Sequence, residues 1–254
     1  PQGKDLFDLF LCQHGDELVL ECGAGRLEAL AKRLNMYKLR ADVTIAAEPW
    51  QVHAAFGAGA AAALDLAGSG GAREYAGGIA FMDPRLDGAG ARIVAPKDQA
   101  APLLAAAGMA AAEAGDYDYF RLGLALPDGS KDLVVDKSLM LESNFEALNG
   151  VDFDKGCFVG QELTARTKYR ALVRKRLLPV RINGPVPGPD TPLLAGEREI
   201  ANMRSGQGDR GLALVRLDRL AEAGGWEQTL TAGSTKLSLQ LPDWAEVDLP
   251  EAAT

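Results

Sequence analysis

Proline recurs so often between residues 179 and 192 that this part of the chain cannot form a long helix. Proline lacks an amide proton and its ring collides with the preceding helical turn. The residues concerned are Pro179, Pro185, Pro187, Pro189 and Pro192, with Gly184, Gly188 and Gly196 nearby. Short runs of alternating apolar residues in the same region predict strands. These runs are 177–182, 210–215 and 235–241. We therefore predict a small β-barrel domain over residues 174–242, followed by an acidic tail at 243–254.

The first 173 residues alternate strand and helix patterns, which predicts an α+β region. Two strand-like runs flank a turn at residues 13–16, so His14 is predicted to be a turn residue rather than a catalytic base. The predicted strands are 4–11, 17–22, 41–46, 79–82 and 91–95, and the predicted helices are 27–34, 101–114 and 161–168.

Composition limits what the chain can bind by itself. No apolar run approaches the eighteen or so residues that a membrane span needs, so no membrane association is expected. Three cysteines, Cys12, Cys22 and Cys157, are too few and too scattered for a disulfide framework, which favours a reducing compartment. They lack any Cys-x-x-Cys spacing, and only two histidines accompany them. We therefore expect no resident metal site, and any iron–sulfur cluster would be held mainly by a partner.

One cysteine lies just ahead of a predicted helix. Residues 155–162 read Lys-Gly-Cys-Phe-Val-Gly-Gln-Glu, and the helical pattern begins at Gln161. The unpaired amides and positive dipole end of a helix favour a thiolate, and Lys155 adds a cation two residues from Cys157. These features suit a reactive or anion-contacting thiol. The alternative is a small apolar residue packed beneath the helix, because free cysteines are often buried.

The same eight residues carry a family resemblance. They resemble the signature of the YgfZ family, folate-binding relatives of the glycine-cleavage T-protein that act in iron–sulfur cluster metabolism. Other stretches agree with that family in the same order along the chain. They are the Pro-Gln-Gly-Lys of residues 1–4, the Tyr-Lys-Leu-Arg of 37–40, the Asp-Pro-Arg of 83–85 with Gly90 and Arg92, and the segment 141–151 that leads into the signature. The resemblance therefore covers nearly the whole chain. Family members usually carry an earlier strand and helix, so a segment before Pro1 is expected.

The resemblance implies a fold, a ligand and a set of site residues. The implied fold is α+β and T-protein-like, with two ferredoxin-like units around a central cleft and a C-terminal β-barrel domain. The implied ligand is tetrahydrofolate or a derivative. The functional thiol would be Cys157, accompanied by Lys155, Gln161 and Glu162. The implied folate contacts are Asp8, Tyr119, Arg121, Glu142 and Arg170.

Charge is concentrated in residues 155–176, which we call the basic segment. Seven cations and one acid, Glu162, give it a net charge of +6, so the rest of this chain of net charge −8 carries −14. A basic segment on an acidic protein predicts a local site for an anion. A folate glutamyl tail, a tRNA backbone and an acidic protein face are the candidates. The alternative is that these cations pair with acids elsewhere in the fold.

Two functions compete. The first is a folate-binding accessory in iron–sulfur cluster assembly or repair, which could affect tRNA-modifying cluster enzymes. The second is a tetrahydrofolate-dependent aminomethyltransferase of the glycine-cleavage type. Against the second, Gly123 stands where the T-protein has a glutamate that reads its pterin, and Phe7 stands in place of the first of two aspartates. Enzyme activity therefore stays open. Partners would be folate and iron–sulfur assembly or client proteins, with tRNA a weaker option. The chain is expected to be a monomer, in the bacterial cytoplasm or in the mitochondrial matrix.

Overall fold

The computed structural model describes residues 3–68, 70–157, 160–170 and 173–250. The chain divides into two compact units. One comprises residues 7–112, and the other comprises residues 113–254 together with the first six residues. Within the described ranges, no helix is both long and apolar enough to cross a bilayer.

The unit formed by residues 7–112 contains a four-stranded antiparallel sheet and a separate hairpin. Its elements are β1 (Phe10–His14), β2 (Glu17–Glu21), α1 (Leu27–Tyr37), β3 (Trp50–Ala55), α2 (Ala60–Ala63), β4 (Ala72–Tyr75), β5 (Gly78–Met82), β6 (Ala91–Pro96) and α3 (Ala100–Ala106). The sheet order is β3-β6-β5-β4, and β1 pairs with β2. One side of the sheet packs against residues of α2 and α3, including Ala60 and Ala100. The other side packs against Phe10, Cys12 and Val19 of the hairpin.

An ion-pair cluster joins this hairpin to the sheet. Arg92 of β6 donates two hydrogen bonds to the carboxylate of Glu21 on β2, one of them at 2.6 Å. Arg85 donates to both oxygens of Asp83, at 2.9 and 2.6 Å. The two guanidinium groups lie 4.1 and 5.0 Å from the centre of the Phe10 ring. Each buried charge is therefore compensated, and the cations also pack on an aromatic face.

The second unit is dominated by a closed six-stranded barrel. Its elements are α4 (Ala114–Gly123), α5 (Glu162–Tyr169), β7 (Lys175–Asn183), β8 (Pro192–Ala195), β9 (Arg198–Gln207), β10 (Arg210–Arg216), α6 (Leu217–Glu222), β11 (Thr229–Ala232) and β12 (Thr235–Leu239). The barrel order is β10-β7-β12-β11-β8-β9. Its hydrophobic core includes Leu178, Met203 and Leu230, which are all fully buried. The predicted barrel is therefore confirmed, and three of the five prolines lie in the loop between β7 and β8.

Several predicted elements agree with the structure. Strands 17–22, 79–82 and 91–95, helix 27–34 and the three C-terminal strands all have counterparts at nearly the same positions. His14 is the last residue of β1 rather than a turn residue, and the turn consists of Gly15 and Asp16. The side chain of His14 meets the edge of the Trp50 ring at 5.8 Å.

Three element predictions are wrong. The strand expected at residues 4–11 begins only at Phe10, and Lys4 makes a single isolated bridge to Leu139. Residues 41–46 form no strand, because no neighbouring strand pairs with them, and β3 begins later at Trp50. The helix expected at 101–114 ends at Ala106. Gly108, with a φ of +82°, turns the chain before α4 starts.

The C-terminal residues, expected to form a tail, pack on the barrel in their described part. The indole nitrogen of Trp244 donates to the carbonyl oxygen of Leu124 at 3.1 Å. Val247 and Leu249 pack against the barrel core. The apolar residues of this segment therefore decide its position, despite its acidic composition. The predicted domain boundaries at 173/174 and 242/243 stay predictions.

We predict that Gly90→Ala destabilises the protein far more than Gly88→Ala. Both glycines have positive φ, +87° and +86°, so alanine at either costs about 1 kcal/mol in backbone strain. A Cβ at position 90 would also lie 2.2 Å from the carbonyl oxygen of Ala55, whereas a Cβ at position 88 meets nothing within 4 Å. Urea denaturation followed by circular dichroism should give a loss of at least about 3 kcal/mol for Gly90→Ala. Equal losses in the two variants would contradict the steric argument.

Candidate functional site

The predicted helix after Cys157 is confirmed as α5, with Gln161 as its N-cap residue. Cys157 lies five residues before the helix and is exposed, as is Lys155. Phe158 and Val159, which complete the signature, lie outside the described residues. The exposed thiol favours the reactive or contacting role over packing beneath the helix. Gly160, at a φ of +94°, has a backbone conformation that suits glycine and leads the chain into Gln161.

Contacts on three sides hold α5 in place. Thr164 and Thr167 on its inner side are buried. The N-terminal segment passes so close that a Cβ on Gly3 would lie 3.1 Å from the Thr164 hydroxyl. Lys168 forms an ion pair with Glu146 and lies 5.6 Å from the centre of the Phe153 ring. The helix therefore has a defined orientation although its outer side faces solvent.

The outer side of α5 borders an open depression of about 540 Å³. The depression is lined by Gly160, Gln161, Glu162, Ala165, Arg166, Tyr169 and Arg170. Three predicted site residues, Gln161, Glu162 and Arg170, are thus brought together here. Glu162 forms an ion pair with Arg166 one turn later, at 2.6 Å. Among the described residues, no three His, Cys, Asp or Glu side chains group as metal ligands would.

The basic segment divides between paired and unpaired cations. Arg166 and Lys168 pair with Glu162 and Glu146, as expected if these cations serve the fold. Arg170 and Arg174 are exposed and have no carboxylate partner among the described residues. Arg166 and Lys168 therefore fit the interpretation that these cations pair within the fold, whereas Arg170 and Arg174 fit the interpretation of an anion site. The latter two follow the last turn of α5.

Glu142 belongs to the loop of residues 141–146, which is hydrogen-bonded to the start of β7. Arg176 donates to the carbonyl oxygen of Leu141 at 2.7 Å and to the side-chain oxygen of Asn144 at 3.2 Å. The amide of Leu177 donates to the backbone oxygen of Glu142 at 2.8 Å. Burial raises the pKa of Glu142, although the charges of Lys175 and Arg176 oppose the change. Among the described residues no group donates a hydrogen bond to this half-buried carboxyl group, which makes it the predicted folate contact best placed to accept one from a ligand.

Arg121 serves the fold in this structure. Its side chain is 1% exposed, and all three nitrogens donate hydrogen bonds within the protein. The acceptors are Asp118 at 2.7 Å, Asp132 at 2.7 Å, the carbonyl oxygen of Leu126 at 3.0 Å and the Ser205 hydroxyl at 3.1 Å. Burial alone would lower the pKa of Arg121, but the charges of Asp132 and Asp118 outweigh it and raise the pKa above its usual value. A direct folate contact by Arg121 stays a prediction, and four of the five N–H groups of its guanidinium already donate within the protein.

The hydroxyl of Tyr119 is also engaged inside the protein, where it donates to Asp209 at 3.0 Å. The guanidinium of Arg210 lies 4.1 Å from the centre of the Tyr119 ring and donates to the Tyr119 carbonyl oxygen at 3.2 Å. The same guanidinium covers Gly123, where an added Cβ would lie 2.0 Å from its Nη1 atom. The space that a glutamate at position 123 would occupy is thus filled by Arg210.

Asp8 belongs to the unit of residues 7–112 and is half-buried. It lies near Cys22: burial raises the pKa of the Cys22 thiol, and the charges of Asp8 and Glu21 raise it further. Cys22 is therefore a poor thiolate.

Sequence reasoning missed three residues that build the site. Glu146 holds α5 through Lys168, Asp132 neutralises Arg121, and Arg210 covers Gly123. Each acts on a residue far away in sequence, so no local spacing reveals it. A signal existed only for the pair of Arg121 with Asp118, whose i,i+3 spacing suits an ion pair on one helix face.

The comparisons with known proteins agree with this architecture. Residues 174–247 match the family described as "CAF17, C-terminal beta-barrel domain". The chain is 34% identical to "Iron-sulfur cluster assembly factor IBA57, mitochondrial" of Homo sapiens, over 96% of this chain and 70% of the human protein. The mouse protein of the same description is 35% identical over 86% of this chain, which spans 63% of the mouse protein.

A solved structure has the same fold. The crystal structure of glycine cleavage system aminomethyltransferase T from Bartonella henselae superposes with a TM-score of 0.72, over 96% of this chain and 73% of that one, at 15% identity. The predicted T-protein-like α+β fold with a C-terminal barrel is therefore confirmed. The matches support that broad family and do not name YgfZ.

We predict that Arg121→Met destabilises the protein by about 3–5 kcal/mol, because it leaves the buried Asp132 carboxylate without its cation. Arg181→Met is the control, since Arg181 and its partner Asp209 are both well exposed and such pairs contribute about 1 kcal/mol or less. Urea denaturation of both variants measures the difference. An Arg121→Met protein of unchanged stability that no longer binds folate would instead show that Arg121 contacts the ligand.

Proposed function

The chain belongs to the family of the iron–sulfur cluster assembly factor IBA57, and we propose that it acts as an accessory factor in iron–sulfur cluster assembly or repair. The observation that carries this proposal is the 34% sequence identity to the human protein, in an alignment that covers 96% of this chain. The matched relatives are described as mitochondrial, so we propose the mitochondrial matrix as the location in a eukaryotic source. A role for tRNA-modifying cluster enzymes as clients belongs to the same proposal.

Cys157 is proposed as the functional thiol. It is exposed and lies before α5, so a partner or a cluster delivered by one has access to the sulfur. Lys155 and Gln161 belong to the same eight-residue signature, and Glu162 begins the helix. The other two cysteines are half-buried, and burial raises the pKa of both thiols. Cys157 is therefore the cysteine whose environment best suits contact with a cluster as cargo.

Tetrahydrofolate or a derivative is proposed as the small-molecule ligand, and two polar side chains have the chemistry to contact it. Glu142 offers a half-buried carboxyl group suited to the amino and amide donors of a pterin. Arg170 offers a glutamyl carboxylate an exposed guanidinium that has no carboxylate partner among the described residues. Four of the five N–H groups of the Arg121 side chain, and the Tyr119 hydroxyl, donate within the protein. If folate binds, those two residues support α4, Glu142 contacts the pterin, and Arg170 is available either to a glutamyl tail or to the carboxylates of another ligand.

The aminomethyltransferase alternative is not favoured. The fold similarity to aminomethyltransferase T concerns architecture alone, since the identity is 15%. Position 123 carries no side chain and is covered by Arg210, so no carboxylate from α4 is available there. Stabilisation of a charged intermediate requires acidic groups aimed at it. Their loss at positions 7 and 123 is the reason that we assign the chain an accessory role.

We predict that Cys157→Ala folds normally but fails in cells. Loss of one exposed sulfur costs about 1 kcal/mol or less of the free energy of unfolding. In cells depleted of their IBA57-type protein, the wild-type chain should restore the activities of cluster-dependent enzymes and Cys157→Ala should not. Cys22→Ala, which removes a half-buried thiol, is the matched control and should complement. Full complementation by Cys157→Ala would show that function does not need the thiol.

We predict that Glu142→Gln weakens tetrahydrofolate binding by roughly 10- to 100-fold, since a hydrogen bond to a charged group contributes about 1.5–3 kcal/mol. Isothermal titration calorimetry under anaerobic conditions measures the affinity. Glu197→Gln, an exposed carboxylate in the turn between β8 and β9, should leave it unchanged. Absence of any heat at high micromolar tetrahydrofolate in the wild-type protein would remove folate from the proposal.

A further inference from the structure

The outer side of α5 has the chemistry of a protein-binding surface. Tyr169 at its C-terminal end is 76% exposed, and Arg166 and Arg170 lie on the same side of the helix. Ala165 leaves the centre of the depression shallow. Tyrosine and arginine are enriched at the energetic centres of protein interfaces, because each combines a flat apolar face with hydrogen-bonding groups. We call this side, residues 161, 162, 165, 166, 169 and 170, the α5 docking face.

The docking face is held in a fixed geometry before anything binds. The ring of Tyr169 meets the ring of Phe153 edge-on, with 6.3 Å between centroids. The adjacent Lys168 is tied to Glu146 outside the helix. Thr167 donates to the carbonyl oxygen of Leu163 at 2.8 Å within the helix. Because these contacts already restrict the side chains, a partner would lose little conformational entropy on binding to them, which favours affinity.

The charge of the face selects an acidic partner. Arg170 and the nearby Arg174 are exposed without a carboxylate partner among the described residues, while the basic segment as a whole carries +6. The rest of the chain has a net charge of −14, which repels polyanions in general. An acidic ligand is therefore attracted only where it contacts the basic segment itself. Complementary charge also accelerates encounter and orients the two partners.

A protein fits this face better than a nucleic acid. Glu162 lines the same depression and its side chain is 76% exposed, so a phosphate backbone following the helix would meet a negative charge. The neighbouring Leu163 adds an exposed apolar side chain. A mixture of acid, base, tyrosine and aliphatic groups suits a protein surface and not a continuous run of phosphates.

We propose that the α5 docking face binds an acidic protein partner, with Tyr169 as the apolar anchor and Arg170 as the contact for its carboxylates. This inference rests on the proposed accessory function, for which it names the surface that receives a partner next to the Cys157 signature. The partner is defined by chemistry: a surface that presents clustered Asp or Glu side chains beside an aliphatic residue.

The experiment is an NMR titration of the isotope-labelled protein with the acetylated peptide Glu-Glu-Leu-Glu-Glu-Leu. We expect amide shifts in residues 161–170 and about tenfold weaker binding for Arg170→Glu. Lys236→Glu on β12 makes the same charge change at an exposed lysine and should bind as the wild type does. Tyr169→Ala should also weaken binding, whereas Tyr37→Ala, at the exposed end of α1, should not. The spectrum of each free variant shows that it is folded.

Three results would overturn the proposal. The first is that the peptide shifts amide signals only outside α5. The second is that Arg170→Glu and Lys236→Glu weaken peptide binding equally. The third is that tRNA or γ-linked pentaglutamate binds the same face more tightly than the peptide does. The last would assign the face to a nucleic acid or to a folate tail. Because this titration measures docking alone, its failure leaves the Cys157 complementation result standing. Conversely, normal docking with full complementation by Cys157→Ala would reject the thiol function and keep the surface.

Discussion

The buried ion pair between Arg121 and Asp132 is the constraint on which the larger unit depends. The guanidinium is surrounded by protein, and the carboxylate side chain is inaccessible to solvent. Asp132 accepts from Arg121, from the Ser205 hydroxyl on β9 and from the backbone amide of Asp128. One carboxylate thus connects a helix, a loop and a barrel strand. Because removing the Arg121 charge leaves the buried Asp132 carboxylate without its cation, α4 and β9 are committed to a single relative position.

That position brings three residues of α4, one turn apart, against the β9–β10 turn. Gly115 faces Gln207, Tyr119 faces Gly208, and Gly123 faces Arg210. Glycine at both ends of this row allows the turn to approach the helix backbone, and the central tyrosine supplies a ring on which Arg210 packs. The residue that distinguishes this chain from an aminomethyltransferase at position 123 therefore also leaves room for the Arg210 side chain over the helix. A carboxylate there would displace Arg210 from its place over the helix.

Features that depend on local sequence were predicted well, and features that depend on distant partners were not. Proline spacing and apolar alternation indicated the barrel strands because both act within a few residues. The helix after Cys157 followed from its own pattern. The strand at residues 41–46 failed although Val43 and Ile45 favour extended structure, since a strand also needs a neighbour to bond with. The family resemblance implied that Arg121 contacts folate, and its partner Ser205, which lies 84 residues away in the chain, could not be identified from local spacing. The family resemblance correctly indicated the fold, but it could not show which of its polar residues this chain uses internally.

The distribution of charge indicates that Arg170 and Arg174, which follow α5, have a role other than pairing within the fold. The chain has 35 acidic residues against 27 lysines and arginines, so carboxylates are in excess. Many cations of the fold can therefore pair with an acidic residue, as Arg92, Arg121, Arg166 and Lys168 do. Arg170, which follows Lys168 by two residues, and Arg174 are exposed without a carboxylate partner in the described structure. In an acidic protein, cations left uncompensated next to an exposed tyrosine are most simply explained by a partner that brings the missing carboxylates with it.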